Sequence, residues 1–142
     1  MKHIIILTSF LLFTTCSKNN LENENCRFLL DIGVNVNINL NLPQFSQLKF
    51  AGNSVYIPNQ GNAGIIIAYT GADYLAWDAA DPNHVQRPCS RLVNSGLNAT
   101  CGCDDKNEYN LVNGQGSKDG TLQCSLRNYR VERNGNSLRI SF

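Results

Sequence analysis

Thiol and imidazole side chains are concentrated in one part of the chain. His84, Cys89, Cys101 and Cys103 lie within 20 residues, in a stretch rich in Asp, Asn, Pro and Gly. Three thiolates and one imidazole are a donor set that can bind Zn²⁺ tetrahedrally. The spacing His-x4-Cys-x11-Cys-x-Cys is not a standard zinc pattern, so the sequence favours disulfides over a zinc site.

Other chemistries have less support. Oxygen ligands for Ca²⁺ are offered by Asp78, Asp81, Asp104 and Asp105, although such loop carboxylates are more often simply solvated. A lone histidine without motif context does not make a Ser-His-Asp triad. The net charge of +1 argues against nucleic acid as a partner, because phosphate binding needs a basic surface.

The N-terminal residues have the form of an export signal. Lys2 precedes an apolar run over residues 4–13, which is too short to span a bilayer as a helix. Thr14 and Thr15 then precede Cys16 in an order that resembles a bacterial lipobox. We therefore expect a signal peptide over residues 1–15, lipidation of Cys16, an anchor and tether over residues 16–25, and a folded domain over residues 26–142.

Removal of residues 1–15 leaves 142 − 15 = 127 residues, in which His84 is the only histidine. An exported chain meets an oxidising environment, where cysteines pair. Five thiols follow Cys16, which allows two disulfides and one unpaired thiol in several arrangements. Cys101 and Cys103 are separated by one residue and cannot easily pair with each other.

Hydrophobic patterning predicts an all-β protein. Residues 34–42 (VNVNINLNL) alternate strictly between apolar residues and Asn, which is typical of a half-buried strand. Further strands are predicted over residues 55–57, 64–69, 74–77 and 108–112, with one or two long loops around a short strand between residues 78 and 107. Asn134-Gly135 predicts a type I′ turn between strands over residues 126–133 and 136–142.

These pieces together resemble Rieske-type ferredoxin domains, over roughly residues 50–142. The matching segments are residues 74–78 (YLAWD), 79–84 (AADPNH), 100–104 (TCGCD), 109–114 (YNLVNG), 126–131 (LRNYRV) and 134–140 (NGNSLRI). Residues 38–50 also look like the N-terminal strand of Rieske-like lipoproteins of Bacteroidetes-type bacteria. The resemblance implies a fold of small antiparallel sheets with long loops.

Rieske domains hold a [2Fe–2S] cluster with two cysteines on one iron and two histidines on the other. Carried over residue by residue, the four ligand positions fall on Asp81, Asn83, Cys101 and Asp104. A shift of one residue in the first loop recruits His84, but the mature chain offers no second histidine. We therefore expect no cofactor. The alternative is a [2Fe–2S] cluster on an altered ligand set, namely Asp81, His84, Cys101 and Asp104.

The resemblance also implies disulfides. Some Rieske proteins tie their two cluster loops together with a disulfide, and the corresponding residues here are Cys89 and Cys103. A second bridge, Cys101–Cys124, would fill the vacated cluster site and leave Cys26 unpaired. In the other arrangement Cys26 pairs with Cys124.

These expectations combine into one functional hypothesis. The chain is interpreted as a monomeric cell-envelope lipoprotein, attached to the membrane through its lipid, that acts as a binding or structural module without catalysis. The alternative is an electron-transfer protein with an altered [2Fe–2S] ligand set.

Overall fold

The computed structural model describes residues 26–117 and 120–142. The predicted signal peptide, lipidation site and tether lie outside these residues. The described part contains two 3₁₀ helices, Pro43–Lys49 and Pro88–Ser90, and no helix in it is long and apolar enough to cross a bilayer. Its strands are β1 (Asn35–Asn39), β2 (Asn53–Ile57), β3 (Ile65–Tyr69), β4 (Tyr74–Asp78), β5 (Leu92–Ser95), β6 (Asn98–Cys101), β7 (Glu108–Asn110), β8 (Asn128–Asn134) and β9 (Ser137–Ser141).

The strands form two antiparallel sheets. Six strands make one sheet in the order β1-β9-β8-β4-β3-β2, and three make the other in the order β5-β6-β7. Long loops connect the second sheet to the first. This arrangement confirms the predicted all-β fold.

The alternating segment at the start of the domain forms β1, which is shorter than predicted. Ile38 of β1 lies opposite Leu138 of β9, and both side chains are buried. The chain turns directly after β1, because the Leu42 N–H donates to the Asn39 carbonyl. Leu42, at the end of the predicted strand, is therefore exposed.

Strand β3 is buried on both faces, which explains its uninterrupted apolar sequence. Ile65 and Ile67 belong to one core cluster, with side chains from β1 and β9. Ile66 and Ala68 belong to a second cluster, with side chains from β5, β6 and β7. A central strand with two covered faces needs no polar alternation.

The region between residues 78 and 107 contains two strands, not the single short strand that was predicted. Strands β5 and β6 pair from Leu92↔Cys101 to Ser95↔Asn98, and Gly96-Leu97 connects them. Three loops flank the strands of the β5-β6-β7 sheet, and we name them the first loop (residues 79–91), the second loop (residues 102–107) and the third loop (residues 111–127). They meet at one end of the domain, which we call the tip.

The hairpin between β8 and β9 turns one residue later than predicted. Asn134 pairs with Ser137, so the two-residue connection is Gly135-Asn136. Gly135 has a φ of 58°, whereas Asn134 and Asn136 are not among the residues with positive φ. The predicted type I′ turn is wrong, because the single positive φ at the first connecting residue is the pattern of a type II′ turn.

Candidate functional site

Four metal-ligating side chains converge at the tip. Asp81 and His84 come from the first loop, Cys101 ends β6, and Asp105 lies in the second loop. One ligand atom from each, two carboxylate oxygens, His84 Nε2 and Cys101 Sγ, lies within 4.8 Å of the other three. We call these residues the donor cluster. Such a mixed set of donors can bind a divalent metal ion.

Asp81 is fully buried, and other side chains fix its carboxylate in place. Its Oδ1 accepts hydrogen bonds from the Tyr109 hydroxyl at 2.5 Å and from the Asn83 backbone N–H at 2.8 Å. Asn107 Nδ2 donates to Oδ2 of Asp81 at 2.9 Å. Burial and the bond to Asp81 raise the pKa of Tyr109, so its hydroxyl keeps the proton that it donates.

His84 turns Nε2 toward the other three donors. This nitrogen lies 3.3 Å from Cys101 Sγ and 3.4 Å from one carboxylate oxygen of each of Asp81 and Asp105. The opposite ring nitrogen, Nδ1, lies 2.9 Å from the Val85 carbonyl oxygen and 3.3 Å from Ser90 Oγ. A carbonyl can only accept, so Nδ1 carries a proton, and in the neutral form of the ring the lone pair on Nε2 is directed toward the other three donors.

Cys101 is the one unpaired cysteine among the residues that the structure describes, and it is buried. Burial raises the pKa of its thiol to about 12, so the thiol is protonated when no cation is near. The Cys103 backbone N–H points at the sulfur at 3.5 Å and opposes this effect. The sulfur is therefore a protected, inward-facing donor.

Two disulfides support the tip. Cys89–Cys103 joins the first and second loops, in agreement with the pairing that the resemblance implied. Cys26–Cys124 joins the N-terminal segment to the third loop, so the predicted Cys101–Cys124 bridge is wrong and the alternative pairing is present. Because Cys89 and Cys103 are consumed by a disulfide, the zinc set containing both thiolates is wrong as well.

The other predicted oxygen donors are placed differently. Asp104 is exposed, and the structure groups its neighbour Asp105 with Asp81, His84 and Cys101 instead. Asp78 lies outside the donor cluster, since its carboxylate accepts hydrogen bonds from Tyr129, Asn62 and Ala80. The structure therefore does not bring the four aspartates together as the ligands of a calcium ion.

Sequence reasoning missed Asp105 by one position. The resemblance placed the last ligand on Asp104, but a one-residue shift in each loop selects His84 and Asp105 together. It also missed Asn107, whose Nδ2 donates to both carboxylates of the cluster, at 2.9 Å to Asp81 and 3.1 Å to Asp105. The two adjacent aspartates were the only signal for this register.

An open pocket of about 510 Å³ gives access to the donor cluster. His84 and Asp105 line it, together with the Cys89–Cys103 disulfide. Phe28, from the N-terminal segment that Cys26 ties down, forms an apolar part of the wall, and so does the exposed Val85. Solutes can therefore reach the two outer donors, while Asp81 and Cys101 lie behind them.

Solved structures resemble this chain in fold. The ferredoxin complex "Complex of reduced oxygenase and oxidized ferredoxin in carbazole 1,9a-dioxygenase" matches with a TM-score of 0.50 at 13% identity, over 79% of this chain and 94% of that one. The carbazole 1,9a-dioxygenase ferredoxin of Nocardioides aromaticivorans IC177 matches with a TM-score of 0.48 at 12% identity, over 74% and 96%. No family model and no curated protein sequence matches. The first likeness establishes a Rieske-like fold.

The residues at the tip do not fit the cluster of that fold. Asn83 is one of the four positions carried over from the resemblance, and its side chain forms hydrogen bonds with Tyr109 and with the backbone of Cys124. A Rieske cluster needs two thiolates on one iron and two imidazoles on the other. The donor cluster has one of each, together with two carboxylates, and its four ligand atoms lie within 4.8 Å of one another.

Proposed function

We propose that this chain is a Rieske-like binding module of the cell envelope that performs no redox chemistry or catalysis of its own. One observation carries the proposal, namely that a single thiol and a single imidazole stand where the fold would need two of each. The second thiol that could serve, Cys103, is closed in a disulfide with Cys89. That disulfide joins the first loop to the second.

The pocket at the tip supplies the binding surface. Phe28 and Val85 give it apolar contact area, while Arg87 and Asp105 give it charged groups of both signs. A concave surface with apolar walls and a few charged groups is typical of a ligand or partner site. We infer that the module acts as a monomer and meets its ligand or partner through this pocket.

The absence of redox chemistry is tested by composition and colour. The exported protein is purified under anaerobic conditions, and its visible absorption, iron and acid-labile sulfide are measured. We expect colourless protein without stoichiometric iron or sulfide. Bands in the visible region with two irons and two sulfides per chain would overturn the proposal in favour of electron transfer on an altered ligand set.

The envelope location rests on the sequence around Cys16, which resembles a lipobox. Cells that express the chain are fed labelled palmitate and fractionated. We expect label and membrane association for the wild type and for Ser17→Ala, and loss of both for Cys16→Ser. Equal labelling of the wild type and Cys16→Ser would remove the lipid anchor from the proposal.

A further inference from the structure

We propose that the donor cluster binds one Zn²⁺ ion through Asp81, His84, Cys101 and Asp105. This inference rests on the proposed function, because it places a single redox-inactive ion where the fold would otherwise hold an iron–sulfur cluster. The proposed site differs from a Rieske centre because it holds one metal ion, because that ion is zinc, and because two of its ligands are carboxylates.

The three distances from His84 Nε2 to the other donors are those of a tetrahedral site. Zinc bonds of about 2.0–2.3 Å to nitrogen, oxygen and sulfur place neighbouring ligand atoms about 3.3–3.7 Å apart. His84 Nε2 lies 3.3 Å from Cys101 Sγ and 3.4 Å from an oxygen of each of Asp81 and Asp105. The remaining pairs lie within 4.8 Å, so small side-chain movements close the site.

Hydrogen bonds outside the donor cluster orient its members as metal ligands. His84 donates its Nδ1 proton to the Val85 carbonyl, which is the arrangement that directs Nε2 of a ligating histidine at its metal. Asn107 holds both carboxylates through one amide nitrogen, and Tyr109 fixes the other oxygen of Asp81. These bonds hold the Cys101 sulfur and one oxygen of each carboxylate within 3.4 Å of Nε2, where one cation could contact all four donors.

The chemistry of the set favours Zn²⁺ among common divalent ions. Ca²⁺ and Mg²⁺ prefer six or more oxygen ligands, whereas zinc accepts thiolate, imidazole and carboxylate together in four-coordinate sites. Two carboxylates and one thiolate supply three negative charges against the two positive charges of the ion. Because all four ligands come from the protein, no position stays open for a substrate, and the ion has the character of a structural site.

Access to the site comes from the pocket. His84 and Asp105 line its wall, so an ion from solution meets these two donors before it reaches Asp81 and Cys101. Once bound, the ion links the first loop, the end of β6 and the second loop beside the Cys89–Cys103 disulfide. The pocket wall would then be fixed by a metal as well as by a disulfide.

Metal titrations test the proposal. The full exported protein is stripped with a chelator without reducing agent and titrated with Zn²⁺ in competition with a chromophoric chelator, and with Co²⁺ as a spectroscopic probe. We expect one ion per chain and a tetrahedral Co²⁺ spectrum that includes a thiolate-to-metal charge-transfer band. Asp105→Asn should weaken binding at least about tenfold, and Cys101→Ser should abolish the charge-transfer band.

The adjacent Asp104 provides the matched control. It is exposed and outside the donor cluster, so Asp104→Asn should bind Zn²⁺ as tightly as the wild type. Cys101 is buried, so if Cys101→Ser fails to fold, the exposed pair Asp104→Asn and Asp105→Asn decides the test. Equal affinities of these two variants would overturn the site.

The failures of the two proposals are distinguishable. Colourless, iron-free wild-type protein that takes up no stoichiometric Zn²⁺ would overturn the zinc site and leave the non-redox module standing. Bound Co²⁺ without the thiolate band would likewise overturn the ligand assignment. Protein that carries iron and sulfide would overturn the proposed function itself, and the zinc site with it.

Discussion

Asp78 shows how this fold holds a buried carboxylate in place. Its Oδ2 accepts hydrogen bonds from the Tyr129 hydroxyl at 2.5 Å and from two nitrogen atoms of Asn62 at 2.8 and 2.9 Å. Asp81 has a comparable tyrosine partner in Tyr109. The two aspartates differ in their remaining contacts, since only Asp81 belongs to the donor cluster. Asp78 is therefore a structural group.

Replacement of Tyr129 by phenylalanine measures this structural role. Tyr129→Phe leaves the ring in the core but removes one hydrogen bond to a buried carboxylate, which should lower the free energy of unfolding by about 1–3 kcal/mol. The matched control is Tyr69→Phe, because the Tyr69 hydroxyl donates to Gly71 at an exposed position. We expect the control to stay within about 0.5 kcal/mol of the wild type in urea unfolding. Equal losses would contradict the assigned role of Asp78.

The same tyrosine predicts how stability depends on pH. Burial, followed by its bond to Asp78, raises the pKa of Tyr129 in the folded state. A raised folded-state pKa gives stability that is complete below the unfolded value of about 10 and is lost as the pH rises above it. The urea midpoint of the wild type should therefore fall above about pH 10, and that of Tyr129→Phe should fall less. Parallel curves for the two proteins would contradict this origin.

At the scale of single elements, the β8–β9 hairpin depends on the backbone of Gly135. Its φ of 58° lies in the left-handed region, and a Cβ added there would meet no atom within 4 Å. Gly135→Ala should therefore cost about 1–2 kcal/mol through backbone conformation alone. Gly33→Ala is the control, since Gly33 has open space and no positive φ. Thermal unfolding that ranks Gly33→Ala as the more harmful change would contradict this explanation.

The two disulfides differ in the length of chain that they close. Cys26–Cys124 spans 98 residues, and Cys89–Cys103 spans 14. In the chain-entropy model, loops of these sizes correspond to about 4.7 and 3 kcal/mol, so the double variant Cys26→Ser/Cys124→Ser should be the less stable of the two serine pairs. Urea unfolding of both double variants checks the order. A reversed order would indicate that the short bridge acts mainly on the folded loops.

The elements that could be predicted are those whose sequence carries a local signal. Strict alternation revealed β1, and an uninterrupted apolar run revealed β3. Strands β5 and β6 were harder to separate, because Asn94, Ser95 and Asn98 interrupt their few apolar residues. Pairing and patterning thus recovered the sheets better than the loops.

The site was predicted only in part, for reasons that lie in its loops. Resemblance selected Asp81, His84 and Cys101, but the second loop turns at Lys106, which has a φ of 48°. A turn that uses lysine in this conformation has no glycine or proline to mark it. The sequence therefore did not show whether Asp104 or Asp105 lies among the donors. Likewise, nothing local indicates that Cys26 returns to Cys124 across 98 residues.

At the scale of the whole molecule, the two cores share strands β3 and β4. Leu138 packs in the cluster that contains Ile65 and Ile67, while Trp77 packs in the cluster that contains Ile66. β3 supplies adjacent residues to both clusters. If one cluster loses its packing, β3 is no longer held in place, and the other cluster becomes exposed on one side. The described domain should therefore unfold in one cooperative transition.

Leu138→Ala tests this coupling from the side remote from the only tryptophan. Leu138 is fully buried, so its truncation should cost about 2–5 kcal/mol. Fluorescence of Trp77, the single tryptophan of the chain, reports on the other cluster, and far-ultraviolet circular dichroism reports on all strands. If the cores are coupled through their shared strands, Leu138→Ala lowers the urea midpoints measured by fluorescence and by circular dichroism by the same amount. The two unfolding curves then stay superimposed. A fluorescence midpoint that stays at the wild-type value while the circular dichroism midpoint falls would mean that the clusters unfold separately. The tip with its donor cluster could then stay folded when the β1–β9 side is lost.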